Sequence, residues 1–181
     1  HVFGSVYDVG TCGIVVLLVT SPEGHVLIDG ATEKAAPLVV DNIRTLGFDP
    51  RDVRWMLASH EHDDHVGGLA ALKAATGAKL AVLAQARASY ETGKSDPSDP
   101  QLGLSTFPAV AVDRDLRDGE VVTLGPLKLT AHATYGHTPG STSWTWRCVA
   151  SVAAVRTAAV AWLASSRTSG WSATRSPSWL I

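Results

Sequence analysis

Three histidines fall within six residues of this chain, and this run constrains the chain more than any other feature. Residues 59–68 read Ser-His-Glu-His-Asp-Asp-His-Val-Gly-Gly and directly follow an apolar segment. Imidazole nitrogen and carboxylate oxygen both bind zinc, at about 2.0 Å, and a tight loop can direct alternate side chains at one point. We therefore expect His60 and His62 to share one metal ion.

The next two polar residues of the run, Asp64 and His65, would point elsewhere and could serve a second ion, since paired hydrolytic metals lie about 3.5 to 4 Å apart. The run is not the helical zinc motif His-Glu-x-x-His, because Asp64 stands where the second histidine of that motif would fall. The alternative is a solvated, charge-rich loop. Three histidines between an apolar strand and a Gly-Gly pair favour the metal site.

Composition sets broad limits on the class of protein. The chain has 181 residues, is 45% hydrophobic and carries a net charge of -2, which fits one globular domain or most of one. Nothing in this balance calls for nucleic acid or an anionic membrane, and no apolar run reaches the roughly eighteen residues of a membrane span. Cys12 and Cys148 are too far apart for a zinc knuckle and too few for a disulfide scaffold. Because the chain starts at His1 without a signal-peptide pattern, we expect a mature product or a fragment.

Hydrophobic periodicity predicts a layered α/β arrangement. Strands are expected at 13–20, 25–29, 53–58 and 79–84, helices at 33–46 and 68–75, and a hairpin at 120–124 and 127–132. Residues 94–111, rich in Ser, Asp, Pro and Gly, are expected to form a long surface loop. The histidine run follows the strand at 53–58, and ligand sites favour this end of a strand in α/β sheets.

A second motif, Thr-Tyr-Gly-His-Thr-Pro-Gly-Ser at 134–141, follows the predicted hairpin. Together, ASHEHDDHVGG at 58–68 and GHTPGSTSWTW at 136–146 resemble the metallo-β-lactamase superfamily, and within it class B β-lactamases of the third subclass. The full His-x-His-x-Asp-His pattern favours that subclass. The resemblance covers roughly residues 1–147 and implies an αββα sandwich, in which two face-to-face sheets lie between helices and the metals lie at one edge.

Carried over by position, the resemblance implies roles for six residues. His60, His62 and His137 would bind the first zinc, and Asp64 and His65 the second. Taken alone, His137 is equally a turn histidine bonded to backbone groups. Asp29, in the string Leu-Ile-Asp-Gly, would orient the metal loop without binding metal, and a simple strand-end acid is the alternative. The other histidines, His1, His25 and His132, belong to no motif.

The chemistry implied by the resemblance is zinc-dependent hydrolysis of the amide bond of a small β-lactam, with Asp64 orienting the attacking hydroxide. Such an antibiotic-resistance enzyme is expected in the periplasm or outside the cell. Two alternatives stay open. One is another hydrolase of the superfamily, acting on thioesters, lactones or phosphodiesters. The other is a zinc-binding remnant without catalytic activity.

The composition changes after Arg147. Residues 148–181 contain no Asp or Glu, although the chain has 17 acidic residues, and no histidine follows His137. The final histidine ligand of the second zinc in the family is therefore not visible, and the second of the two zinc ions is expected to bind weakly or not at all. We hypothesise a metallo-β-lactamase-like domain over 1–147 and an aberrant tail over 148–181, translated out of frame or disordered. A divergent but genuine terminus is the alternative, and the Ala-rich stretch 152–163 is predicted to be helical.

Overall fold

Two β-sheets packed face to face form the centre of the molecule. The structure is a computed structural model that describes residues 1–99, 101, 105–150 and 154–160. In the order in which they pair, the strands of the first sheet are β1 (Val6–Asp8), β2 (Leu17–Ser21), β3 (Gly24–Ile28), β4 (Val53–Leu57), β5 (Lys79–Leu83) and β6 (Arg114–Leu116). Strands β1 to β3 are antiparallel, whereas β3 to β6 run parallel.

The second sheet is antiparallel throughout. It contains β7 (Val121–Leu124), β8 (Leu127–Ala133), β9 (Thr142–Ala150) and β10 (Ala154–Val160), paired in sequence order. The helices of the described residues are α1 (Ala36–Thr45), α2 (Asp63–Val66), α3 (Leu69–Thr76) and α4 (Arg87–Thr92). Short 3-10 turns precede α1, β4 and α4.

The alternation of side chains along the strands of the first sheet divides the core in two. Leu18 and Met56 face the helices, where they join a cluster that includes Ile43 and Leu72. Neighbouring residues on the same strands face the second sheet, and this second cluster includes Trp144, which is fully buried. Successive residues of a strand point to opposite faces, so a strand covered on both faces is apolar throughout. The helices and the two sheets thus form three layers among the described residues, all four helices lying on the first sheet.

The predicted fold of two face-to-face sheets with outer helices is confirmed, and among the described residues the helices cover the first sheet only. Up to residue 132 the predicted strands and helices are all present with bounds shifted by a few residues, whereas β1, β6, α2 and α4 were not predicted. The predicted helix over 152–163 is wrong at 154–160, where β-branched Val155, Thr157 and Val160 favour the strand β10 that pairs with β9. Residues 148–150 of the predicted tail form the end of β9, and residues 151–153 and 161–181 lie outside the described residues. A domain boundary at residue 147 stays a prediction.

The structure also bears on the expectations about a membrane-spanning segment and about the cysteines. No described helix has the length and apolar character needed to cross a bilayer. Cys12 is exposed and carries a free thiol.

Candidate metal centre

The histidine run lies at the edge of the sandwich where the parallel strands β3 and β4 end. Ser59 follows β4, and its carbonyl accepts a hydrogen bond of 2.7 Å from the backbone N–H of Thr142 at the start of β9. The run therefore bridges the ends of the two sheets. The short helix α2 begins directly after His62 and carries Asp64 and His65.

Two groups of potential metal ligands meet at this edge, and both contain His60. The first group is His60, His62 and His137, and the second is His60, Asp64 and His65; within each group the ligand atoms lie within 4.8 Å of one another. The structure therefore brings together all five residues for which the sequence predicted metal binding. His1, His25 and His132 do not belong to either group.

The distance between two donor atoms of the first group is compatible with a shared zinc ion. His62 Nδ1 lies 3.1 Å from His137 Nε2. Two nitrogens bound to one tetrahedral zinc at 2.0 to 2.1 Å are about 3.3 Å apart. Imidazole and carboxylate are both donors that zinc accepts in proteins. The residues present are thus compatible with a metal site.

Burial keeps the imidazoles of His60 and His137 neutral and able to bind metal. Desolvation, followed by the neighbouring imidazoles of His65, His137 and His62, lowers the pKa of His60 to about 2. The pKa of His137 is also lowered, mainly by burial and then by His62. A neutral imidazole retains a lone pair on one nitrogen, which is the form that binds metal.

Asp29 holds the metal loop through three hydrogen bonds. One oxygen accepts from the backbone N–H of Ser59 at 2.6 Å, and the other accepts from the Ser59 hydroxyl at 2.8 Å and from His65 Nδ1 at 2.9 Å. Asp29 adopts a positive φ of 67°, a conformation that Asp tolerates better than most residues. The carboxylate is therefore placed to orient both the loop and one potential ligand.

The contact with Asp29 also affects the charge of His65. Burial lowers the pKa of His65, but the hydrogen bond and charge of Asp29, together with the charge of Asp64, outweigh it, so the pKa is raised overall. His65 Nε2, the nitrogen not bonded to Asp29, lies 3.6 Å from Asp64 Oδ2. The side chain of Asp64 is 59% exposed, so this carboxylate is open to solvent and to small molecules.

Two acidic residues of the site were missed by the sequence analysis. Glu61 is fully buried and bonds to Thr138 and Gly140, in the second motif. Asp99 is also buried, and its carboxylate lies 2.7 Å from His62 Nε2. Glu61 could have been identified from the sequence, because it is a carboxylate between two predicted metal ligands. Asp99 lies in a loop whose sequence does not distinguish it from Asp96.

Comparison with known proteins shows which family has this fold and this histidine pattern. The model of the metallo-beta-lactamase superfamily matches residues 9–148, most of the chain. The chain therefore belongs to the metallo-β-lactamase superfamily. Within the superfamily the chain resembles subclass B3, as the sequence motifs predicted, because its structural neighbours include enzymes of that subclass.

Three solved structures illustrate the likeness. MIM-1 from Novosphingobium pentaromativorans is 54% identical, with a TM-score of 0.87 over 89% of this chain and 59% of that one. MEM-A1, a subclass B3 metallo-β-lactamase from a soil metagenome library, is 43% identical, with a TM-score of 0.82 over 88% of this chain and 60% of that one. SMB-1, bound to 2-mercaptoethanesulfonate, is 44% identical, with a TM-score of 0.85 over 88% of this chain and 62% of that one.

Curated relatives are hydrolases of other kinds. A probable metallo-hydrolase of Burkholderia pseudomallei is 32% identical over 145 residues, 74% of this chain and 47% of the relative. The N-acyl homoserine lactonase AttM of Rhizobium johnstonii is 36% identical over 81 residues, 33% of this chain and 31% of the relative. The chain thus spans less than half of these curated relatives and 59 to 62% of the three structures above.

Proposed function

We propose that this protein hydrolyses the amide bond of β-lactams in a zinc-dependent reaction, and that His60, His62 and His137 bind one zinc while Asp64 and His65 bind a second. The observation that carries the proposal is the pair of ligand groups meeting at His60. It occurs in a chain that matches B3 structures over 88 to 89% of its length. A single histidine group would support metal binding but not paired-metal hydrolysis.

Zinc, when bound, would act as a Lewis acid and would lower the pKa of bound water towards about 7, which provides a nucleophile at neutral pH. The residues of the chain supply the rest. Burial holds His60 and His137 neutral at that pH. Asp29 fixes His65 through its Nδ1 and leaves Nε2 directed towards Asp64.

Asp64 is assigned the catalytic role of orienting the attacking hydroxide. Its carboxylate is the exposed member of the second ligand group, whereas His60 in the same group is 1% exposed. An exposed carboxylate beside the ligands can accept a hydrogen bond from the nucleophile and leave its other oxygen for metal. Substrate would approach from the solvent side, where Asp64 lies.

A second candidate is hydrolysis of a lactone or a thioester. The curated relatives favour it, since they include the lactonase AttM and a hydroxyacylglutathione hydrolase of Anaeromyxobacter dehalogenans, the latter 34% identical over 93 residues. Both matches are shorter and less identical than the match to MIM-1. We therefore place β-lactam hydrolysis first.

The test compares three substrates on the full chain supplied with zinc: a chromogenic cephalosporin, an N-acyl homoserine lactone and a hydroxyacylglutathione thioester. We expect cephalosporin turnover that a chelator abolishes, that added zinc restores and that His62→Ala removes. His132→Ala is the matched control, because His132 is bonded to Thr145 in the second sheet. Turnover of only the lactone or the thioester would replace the proposal with the second candidate. Zinc binding without turnover of any substrate would indicate a non-catalytic remnant.

The size of the substrate and the cellular location of the protein are part of the same proposal. SMB-1 binds 2-mercaptoethanesulfonate, which supports a small-molecule ligand at this kind of site. The resemblance to subclass B3 supports a periplasmic or secreted location and a role in antibiotic resistance. Cell fractionation, and the minimal inhibitory concentration of a cephalosporin in a host carrying the gene, test these two points.

A further inference from the structure

The buried carboxylate of Asp99 contacts the metal site from a segment outside both sequence motifs. The segment starts at Lys94, which forms a β-bridge with Thr106. It touches the histidine run at a second point, where Ser105 Oγ accepts a hydrogen bond of 2.9 Å from the backbone N–H of Asp63. Asp99 and Ser105 therefore each contact the run.

Asp99 is as buried as a core residue, and both its carboxylate and its backbone form hydrogen bonds. Its side chain is 0% exposed. One carboxylate oxygen accepts a hydrogen bond of 2.8 Å from the backbone N–H of Gln101, and its own backbone N–H donates to the carbonyl of Asp96 at 2.9 Å. The other oxygen lies 2.7 Å from His62 Nε2. Both oxygens are thus used, and only one is directed at the metal site.

This contact decides which nitrogen of His62 carries a proton. A carboxylate accepts hydrogen bonds and does not donate them, so Nε2 must be the protonated nitrogen. Nδ1, the other nitrogen, is the one that lies 3.1 Å from His137 Nε2. The imidazole of His62 thus lies between a carboxylate on one side and a second potential ligand on the other.

We propose that Asp99 is a positioning residue of the metal centre, which holds His62 in the Nε2–H form and directs the Nδ1 lone pair at the metal shared with His137. The inference rests on the metal site of the proposed function. Histidine ligands of metals commonly donate their second N–H to a carboxylate, which fixes the tautomer and makes the ligand more basic. Removal of such partners costs about 10- to 100-fold in metal affinity.

The test measures zinc affinity of the full chain by competition with a chromophoric chelator. Asp99→Ala is expected to weaken zinc binding by about 10- to 100-fold. Asp99→Asn keeps an oxygen that can accept from His62, so it is expected to recover part of this loss. The matched control is Asp96→Asn, in the same segment, where the carboxylate bonds only to the N–H and hydroxyl of Ser98.

A second measurement does not depend on zinc. Nitrogen-15 NMR of the imidazoles in the metal-free protein reports the tautomer of each histidine, and we expect His62 as Nε2–H in the wild type and in Asp99→Asn. An Nδ1–H form in the wild type would overturn the inference. So would an Asp99→Ala variant that stays folded and binds zinc as tightly as Asp96→Asn does.

The two proposals fail in different ways. A wild type that binds zinc tightly, loses affinity on Asp99→Ala and hydrolyses no β-lactam would support the positioning role and refute the proposed function. If the wild type binds no zinc, the proposed metal function fails and the positioning role towards metal is overturned with it, whatever the tautomer of His62.

Discussion

Glu61 accepts a hydrogen bond of 2.7 Å from the hydroxyl of Thr138, and this contact joins the two sequence motifs of the metal site. Glu61 lies between two members of the first ligand group, and Thr138 follows the third member, His137. The other oxygen of Glu61 accepts from the backbone N–H of Gly140 at 3.0 Å. A Cβ at position 140 would lie 2.6 Å from that carboxylate, which explains glycine there. Burial raises the pKa of Glu61, and these two hydrogen bonds oppose the shift.

Thr138→Val should destabilise the fold and weaken zinc binding together. The variant keeps the shape of the side chain but leaves a buried carboxylate oxygen without its donor. We expect the free energy of unfolding to fall by about 1 to 3 kcal/mol. Urea denaturation measures it, and Thr123→Val, on an exposed position of β7, is the control that should change little. Equal effects of the two variants would contradict the role of the Glu61–Thr138 contact.

Asp29→Asn should loosen the metal loop although it preserves size and the positive φ. The carboxylate accepts from three donors, two on Ser59 and one on His65. An amide has only one acceptor oxygen, so at least one donor loses its partner, at a cost of about 1 to 3 kcal/mol. The measurement is urea denaturation of metal-free protein. Asp41→Asn, at an exposed ion pair on α1, is the control and should stay within about 0.5 kcal/mol.

The metal-free protein should lose stability as the pH falls below 6.5. Burial, with the neighbouring imidazoles, lowers the pKa of His60 from 6.5 to about 2, so the unfolded chain takes up a proton that the folded chain refuses. The contribution of His60 is therefore complete above pH 6.5 and is lost progressively from there down to about pH 2. Between pH 7 and 5.5 the loss is about 1 kcal/mol. The raised pKa of His65 acts in the opposite direction.

Comparison of variants isolates the contribution of His60 to this pH dependence. Urea denaturation at both pH values should show a smaller difference for His60→Asn than for the wild type, because the titrating group is gone. His132→Ala, outside both ligand groups, should keep the wild-type difference. A pH dependence unchanged in His60→Asn would show that other groups cause it.

Where local pattern determines structure, the sequence predicted the fold and which candidate ligands come together, and their binding of metal stays a prediction. Continuous apolar strands predicted the first sheet, because they are covered on both faces. The histidines of the run are close in sequence, so their convergence needed no knowledge of long-range contacts. His137 was reached only through the resemblance, since no local rule joins it to a run more than seventy residues away.

Asp99 shows why other residues of the site could not be predicted from the sequence. Residues 95–97 and 98–100 are the same tripeptide, Ser-Asp-Pro. Among the described residues Asp96 bonds only within its own turn, whereas Asp99 is buried against His62. Which of two identical acids reaches the site depends on how the whole segment lies on the histidine run. The strand β10 was missed for a similar reason, since pairing with β9 overrides the helical preference of alanine.

The most direct test of the metal centre is a zinc titration of the full chain, with the wild type compared with His60→Ala, His62→Ala and His132→Ala. His60 is assigned to the first zinc and also lies within 4.8 Å of the donor atoms of Asp64 and His65, whereas His62 lies only in the first group, so we predict that His60→Ala weakens the first site and also disturbs the second. His62→Ala should weaken only the tighter site, and His132→Ala should match the wild type. Zinc binding that survives His60→Ala unchanged would contradict a centre built around this histidine.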